Sequence, residues 1–537
     1  MIAFYVFILS LALSTVAVPY LAHWSSTLGL LDQPGERKIH LNPVPRVGGI
    51  AIAAGTLISL TVWVPFTDPV AGYLIGALII MVFGIADDIS NLDFRLKFLG
   101  QIIAALVFVY VSNIWLTRAI FGFNDLLPFW LGLPLTIFWI VGVTNAINLS
   151  DGMDGLAGGT SLLASVALGY LAFSCGDKLT ALLALAVIAA VVGFLRYNTF
   201  PARVFMGDTG SQFLGFSVAV LSLILIENSN RAMSPLVPLL MLGLPISDTL
   251  FVIYQRVHAG GSPFYPDRRH LHHRLLDFGL NQYEVVLVIY MLQILWVLSA
   301  WFLRYSLDIL LLGFFVTFNV TLYWGVSYWE THETHARTAL MKASLVDRLV
   351  TRLKATNLLM NTARDAVVYG LVLMFPAVAL GVPHVSADIG WLALMLGMSL
   401  ALALFIRAIP LVAVERLSAF VLAIAVVYLV NDTKLLSSGV VYTYIGLLAF
   451  GISLWLRFGS SSFQVNSLDV LIILIVISVP NMPFIKGSGL GAVFVQALAL
   501  FYACELVISQ RVRQQIFRAV LLLSLIVLAF RGIVFSL

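Results

Sequence analysis

Charge and cysteine are what this sequence has least of. Of 537 residues 10% are charged and 61% hydrophobic, a balance that excludes a water-soluble globular chain. The two cysteines, Cys175 and Cys504, both adjoin apolar runs, which argues against a disulfide framework and against a thiolate metal site. Ten-residue segments alternating apolar and polar positions are missing, so a transmembrane β-barrel is not expected. The first apolar run, Met1 to Ala22, lacks a basic start and a small-residue cleavage pattern. It is expected to be a retained helix and not a removable signal peptide. No short-period repeat is visible.

What the sequence has instead is apolar runs of roughly 17–22 residues from end to end, each long enough to cross a ~30 Å hydrocarbon core as a helix. The expected class is all-α: a polytopic helical membrane protein of about 18 transmembrane helices, about 10–11 of them before Tyr328 and about 7 after Ala366. Three segments are expected: a first transmembrane module over 1–327, a cytoplasmic amphipathic linker over 328–365, and a C-terminal transmembrane module over 366–537. The linker reading rests on Arg337, Lys342, Arg348, Arg352, Lys354 and Arg364, spaced among leucines and valines.

The net charge of +4 says less than its placement. Arg37, Lys38, Arg46, Arg95, Lys97, Arg196, Arg203, Arg256, Arg268, Arg269 and Arg274 fall in alternate loops. The positive-inside rule makes those loops cytoplasmic and puts the N-terminus on the other side. Continuing the alternation places Arg407, Arg416, Arg457, Arg511, Arg513 and Arg518 inside as well. Nucleic acid is not an expected partner.

Polar residues cluster at the cytoplasmic ends of the runs, where burying them is costly unless they are paired or functional. Asp87-Asp88 closes one run and Lys97 follows. Adjacent carboxylates repel, so a metal, a lysine or a proton must compensate them. Asn148, Asp151 and Asp154 are spaced by three, which on a helix would share one face. Oxygen donors of this kind suit a hard cation such as Mg²⁺, and the terminal Glu of an EF-hand is missing. Around Asp208, Gly207 and Gly210 would let backbone approach a phosphate, and helix-start amides would favour its charge. A helix cap by Asp208 or Thr209 is the equal alternative. The long loop from Gln255 to Gln282 brings Arg268, Arg269, His270, His272, His273 and Arg274 together, a cationic surface suited to a diphosphate.

Taken in order, Asp32-Gln-Pro, Arg37-Lys38-Ile-His40, Pro45, Gly48-Gly49, Asp87-Asp88, Asn148…Asp151…Asp154-Gly-Leu, Gly207-Asp208, Ser262-Pro-Phe and His270-Leu-His272-His273 resemble the motifs of the polyprenyl-phosphate N-acetylhexosamine-1-phosphate transferases. The likeness covers about residues 1–305, and its histidine pattern looks like the WecA type and not the MraY type. The resemblance implies a Mg²⁺-dependent enzyme (with Mn²⁺ as a substitute) that moves N-acetylhexosamine-1-phosphate from a UDP-N-acetylhexosamine to a polyprenyl phosphate such as undecaprenyl phosphate. It implies an inner-membrane location with a cytoplasmic active site in contact with membrane lipid. A homodimer is compatible with this reading.

By the same resemblance Asn148 and Asp208 are expected to contact the metal, and Asp87, Asp88, Asp208, His270, His272 and His273 to form the catalytic group. Lys38, His40, Lys97, Asp151, Asp154, Arg268 and Arg269 are expected to bind substrate. The rival class is a transporter or lipid flippase. Such proteins place their polar sites near the bilayer midplane, whereas these carboxylates fall at span ends.

Overall fold

The computed structural model describes residues 2–33, 43–119, 126–262, 269–331, 358–406, 410–433, 435–458 and 490–534. Lys38, His40, Arg268, Arg407 and most of the expected amphipathic linker lie outside them. The described chain is helical apart from one two-residue antiparallel ladder, β1 (Leu31–Asp32) with β2 (Val44–Pro45). Two compact units result, one within Met1–Arg337 and one from Thr338 onward.

The first unit contains α1 (Ile2–Trp24), α2 (Gly48–Trp63), α3 (Asp68–Ser90), α4 (Phe94–Ser112), α5 (Phe129–Leu149), α6 (Leu156–Ser174), α7 (Lys178–Asn198) and α8 (Gly207–Ile224). It continues through α9 (Val237–Met241), α10 (Gly243–His258), α11 (Leu271–Asp277), α12 (Gln282–Leu303) and α13 (Asp308–Thr331). The second holds α14 (Leu358–Gly381), α15 (Ala387–Phe405), α16 (Leu411–Thr433), α17 (Ser438–Phe458), α18 (Leu490–Ser509) and α19 (Gln514–Val534).

Thirteen described helices are long and apolar enough to span a membrane, which bears out the polytopic all-α class. The remainder of the expected number has identifiable causes. Gly48–Trp63, Gly439–Ile452 and Val495–Ser509 are apolar but shorter. α10 carries Asp248, Gln255 and Arg256 on a helix of only 16 residues, and the apolar run after Leu468 lies outside the described residues.

In the first unit α8 is the hub. Its span is wholly buried, and α2, α3, α5, α6 and α7 pack around it. Apolar surface alone cannot drive helices together in lipid, so close approach and interhelical hydrogen bonds must do so. α8 supplies both through Gly210, Ser211, Gly215, Ser217 and Ser222, with Tyr73 Oη on α3 lying 2.9 Å from Ser217 Oγ. α1 is pinned to α7 in the same way. Ser10 and Ser14, one turn apart on one face, donate to the carbonyls of Ala186 and Ala190, each at 2.7 Å.

A chain of side-chain amides crosses three helices near one end. Asn145 Nδ2 donates to Gln101 Oε1 at 2.6 Å, and Gln101 Nε2 donates to Gln212 Oε1 at 3.1 Å. Each amide stands about one turn deeper than a polar residue of interest on its own helix: Lys97 on α4, Asn148 on α5 and Asp208 on α8. The chain thereby fixes the register of the three helices that carry those groups.

In the second unit buried charge is paired. Glu415, fully buried, takes Arg518 at 2.8 Å and Gln514 Nε2 at 3.2 Å. Arg416 meets Glu505 at 3.1 Å. Arg531 on α19 closes the end of α14 by donating to the carbonyls of Ala379 at 3.0 Å and Val382 at 2.5 Å.

Candidate functional site

At one end of the first unit the starts of α8 and α12 and the ends of α3, α5 and α7 converge on a cavity of about 770 Å³. Its wall includes Asp88, Asn148, Asp151, Asp154, Asp208 and His273, all expected at the site, and also Asp32, Arg46, Asn91, Asn198 and Gln282.

The Asp87-Asp88 pair divides its work. Lys97 Nζ sits 2.6 Å from Asp87 Oδ2 and 3.5 Å from Asp208 Oδ2, so one cation screens two carboxylates. Asp87 Oδ1 also accepts from the Leu92 amide at 2.9 Å. Asp88 points the other way and caps α8 from outside it. It accepts from the Asp208 amide at 2.8 Å, the Thr209 amide at 3.0 Å and the Thr209 hydroxyl at 2.6 Å. This corrects one expectation, since the helix-start amides thought open to a phosphate are taken by Asp88. Gly207 permits the arrangement. Its φ of +71° is left-handed, and a Cβ there would stand 2.6 Å from Asp88 Oδ2.

Asn148 lies in the last turn of α5 and donates to Asp208 Oδ1 at 2.6 Å and to Ser211 Oγ at 2.8 Å. Asp151 and Asp154 do not continue that helix, as the spacing of three suggested. The helix stops at Leu149, and the Asp-Gly-Met-Asp-Gly segment turns through Gly155, at φ +78°, into α6. The turn still brings all three residues to the same cavity. Asp154 Oδ2 accepts from the Ala202 amide at 2.9 Å. Asn198 bridges the walls, accepting from the Gly155 amide and donating to the Val204 carbonyl, both at 3.0 Å.

Burial, and after it the negative charges of Asp208, Asp88 and Asp154, push the Asp151 carboxyl up to about 7. A carboxyl raised in the folded state holds its proton where the unfolded chain has lost it. Its contribution to stability is therefore present at low pH and declines as the pH rises toward 7. The anion becomes the major form only above that value. We expect kcat/KM to rise from about pH 6 to about pH 8 in the native protein and to lose that limb in Asp151→Asn. A pH profile that is the same in both forms would remove Asp151 from the site.

The histidine segment is less cationic than expected. His273 lines the cavity. His272 is buried, and burial, followed by the charge of His273, pushes its pKa down to about 3, so it is a neutral imidazole at physiological pH. His270 is buried beside Asp248, Nδ1 to Oδ2 being 2.8 Å. Arg274 is taken by Glu330 in two bonds of 2.7 Å. Arg269 donates to the Gln255 carbonyl at 3.0 Å and does not line the cavity. The compact ion pair is therefore elsewhere, at Lys97. Lys97→Ala should lower kcat/KM by about 10- to 100-fold, the loss of a charge-assisted contact that also leaves Asp87 and Asp208 facing each other. Steady-state kinetics over nucleotide-sugar concentration would check it.

Sequence reasoning missed Asn198, Asp248, the Asp32–Arg46 ion pair and the Gln101–Gln212 contact. Asp248 had a readable signal, a carboxylate within an apolar run. Asp32 and Arg46 were both visible but not as a pair, and Asn198 and the Gln101–Gln212 contact had no signal, because their partners lie far away in sequence.

The donor set fits a magnesium ion on its chemistry. Asp208 offers carboxylate oxygens and Asn148 a side-chain amide on one wall of the cavity, and no cysteine lines it. Among the described residues no three His, Cys, Asp or Glu side chains form a complete cage. Mg²⁺ does not require one, because it is commonly held by one or two carboxylates with waters and phosphate oxygens.

Residues 70–226 match the family model described as Glycosyl transferase family 4. The chain is 40% identical over 303 residues to a probable undecaprenyl-phosphate N-acetylglucosaminyl 1-phosphate transferase of Bacillus subtilis, covering 55% of this chain and 83% of that one. It is 35% identical over 298 residues to the decaprenyl-phosphate N-acetylglucosaminephosphotransferase of Mycobacterium tuberculosis, covering 50% and 74%. With the undecaprenyl-phosphate alpha-N-acetylglucosaminyl 1-phosphate transferase of Escherichia coli K12 the identity is 30% over 268 residues, covering 49% and 73%. The matched length, the order of the motifs and the cavity they build place this chain in glycosyl transferase family 4, among its polyprenyl-phosphate sugar-1-phosphate transferases.

Proposed function

We propose that this protein transfers N-acetylglucosamine-1-phosphate from UDP-N-acetylglucosamine to undecaprenyl phosphate, releasing UMP. The observation that carries the reading is the Asp87–Lys97–Asp208–Asn148 cluster at the helix ends, with Asp208 and Asn148 in the cavity wall. A diphosphate and a membrane-anchored phosphate meet naturally at such a depth. A site near the bilayer midplane, as alternating access requires, would look different.

In the step itself an oxygen of the lipid phosphate bonds to the β-phosphorus of the nucleotide sugar. The bond from that phosphorus to the bridging oxygen breaks, and UMP leaves with the electron pair. Both reactants are anions, so positioning and charge screening are the main demands on the protein. Lys97 supplies fixed positive charge beside two carboxylates. Asp87, buried behind the cavity wall, orients that ammonium. Asp88 holds the start of α8 and thus Asp208 in place. Asp151, Asp154 and His273 line the part of the cavity left for the nucleotide. Asp208 and Asn148 would hold Mg²⁺, which when bound neutralises diphosphate charge.

The decisive assay is UMP release by purified protein with undecaprenyl phosphate and a panel of UDP-sugars, with and without Mg²⁺. Release that requires the lipid and is highest with UDP-N-acetylglucosamine supports the reading, and release without any lipid contradicts it. The basic loops support a cytoplasmic-side location for this chemistry, in the inner membrane. A reporter inserted in the Gln255 to Gln282 loop is expected to respond as cytoplasmic, and a signal from the opposite side would overturn that placement.

A further inference from the structure

Asp248 is a carboxylate on α10 that lines no part of the cavity, yet it is buried and both of its oxygens are engaged. Oδ2 faces His270 Nδ1 at 2.8 Å, and Oδ1 accepts from the Leu271 amide at 2.8 Å and the Tyr323 hydroxyl at 3.4 Å. The first amide of α11 is thus satisfied from a different helix, and the His270 side chain makes no cap of its own. A carboxylate acceptor also fixes the imidazole proton on Nδ1.

From that anchor the rings run in a row toward the cavity. His270 and His272 stack with centroids 5.6 Å apart, and His272 meets His273 at 4.3 Å. His272 rests against the Asp151–Asp154 turn so closely that a Cβ on Gly152 would stand 2.4 Å from its Nε2. One end of the row is a buried carboxylate and the other is the cavity wall.

We propose that Asp248 is a positioning residue for the nucleotide sugar: through His270 and the start of α11 it sets where His273 stands and how the Asp151–Asp154 turn is braced. The inference rests on the function proposed above. Nothing in the row reaches Lys97 or Asp208, so Asp248 acts on nucleotide binding and leaves lipid use and the transfer step nearly untouched.

The test compares the native full-length protein with Asp248→Ala, Asp248→Asn and His270→Gln in UMP-release kinetics, varying UDP-N-acetylglucosamine and undecaprenyl phosphate separately. Loss of a group that orients a binding residue typically weakens a site by about 10- to 100-fold. Asp248→Ala is expected to raise the KM for the UDP-sugar in that range, with kcat and the KM for the lipid within about 3-fold of native. His270→Gln should raise the same Michaelis constant, and the Asp248→Asn/His270→Gln double variant should raise it no more than the worse single, because the two act as one unit. If Asp248→Ala fails to fold, Asp248→Asn, which keeps the shape and loses the charge, gives the same reading. Unchanged UDP-sugar KM in Asp248→Asn, or equal changes in both Michaelis constants and kcat, overturns this inference alone. No UMP release by the native protein overturns the proposed function and this inference with it.

Discussion

Asp208→Ala is expected to leave a folded protein that releases UMP at least about 10²–10³ times more slowly than the native chain, the loss typical of removing one preorganised charge-stabilising group. The variant separates chemistry from architecture because Asp208 does not hold its own helix. The start of α8 is capped by Asp88, through the Asp208 and Thr209 amides, and a backbone amide survives substitution by alanine. The neighbours also keep partners, Lys97 with Asp87 and Asn148 with Ser211. What disappears is the carboxylate on which Lys97 and Asn148 converge. Native-like elution and thermal midpoint together with lost turnover would meet the expectation. Near-native UMP release at any Mg²⁺ concentration would remove Asp208 from the reaction.

Asp88→Ala should fail differently, losing turnover and stability together. Its carboxylate answers a buried amide and hydroxyl of Thr209 and the part-buried Asp208 amide at the start of the most buried helix in the unit. A methyl group answers none of them, and each buried donor left unsatisfied costs about 1–3 kcal/mol. A thermal midpoint lowered by about 5 °C or more in detergent would accompany the lost activity. Asp88→Asn, with one acceptor oxygen, should fall between. An Asp88→Ala protein as stable as the native one but inactive would show that Asp88 works on the substrate and that its capping bonds are dispensable.

These two carboxylates also show how far the sequence could be read. Asp87-Asp88 at the end of one apolar run and Asp208 at the start of another were visible as chemistry because charge at span ends needs a reason. The compensating Lys97 was visible because it lay nearby. What separates Asp87 from Asp88 is the direction of two adjacent side chains toward two different helices, and a linear pattern does not encode that. The Asn148…Asp151…Asp154 spacing was read as one helical face, yet the helix ends at Leu149 and the segment turns, passing through a left-handed Gly155. The residues reach the cavity through that turn. The histidines looked cationic because their composition is basic, but burial leaves His272 neutral, and Arg274 answers Glu330 from 56 residues away. The helical class and its lipid solvent were legible throughout, since run length and hydrophobicity decide them. The amide chain from Asn145 through Gln101 to Gln212 was not, because it depends on three helices packed in register.

The central claim is that this cavity joins a nucleotide-sugar diphosphate to a lipid phosphate by attack at the β-phosphorus. The most direct measurement follows the label from UDP-N-acetylglucosamine carrying ³²P in the β-phosphate, incubated with the purified protein, Mg²⁺ and undecaprenyl phosphate. The account predicts that the label enters the lipid phase in step with unlabelled UMP release, and that both fall at least about 10²–10³-fold with Asp208→Ala. Label left in the aqueous phase as sugar phosphate or UDP, while the native protein turns over, would contradict it.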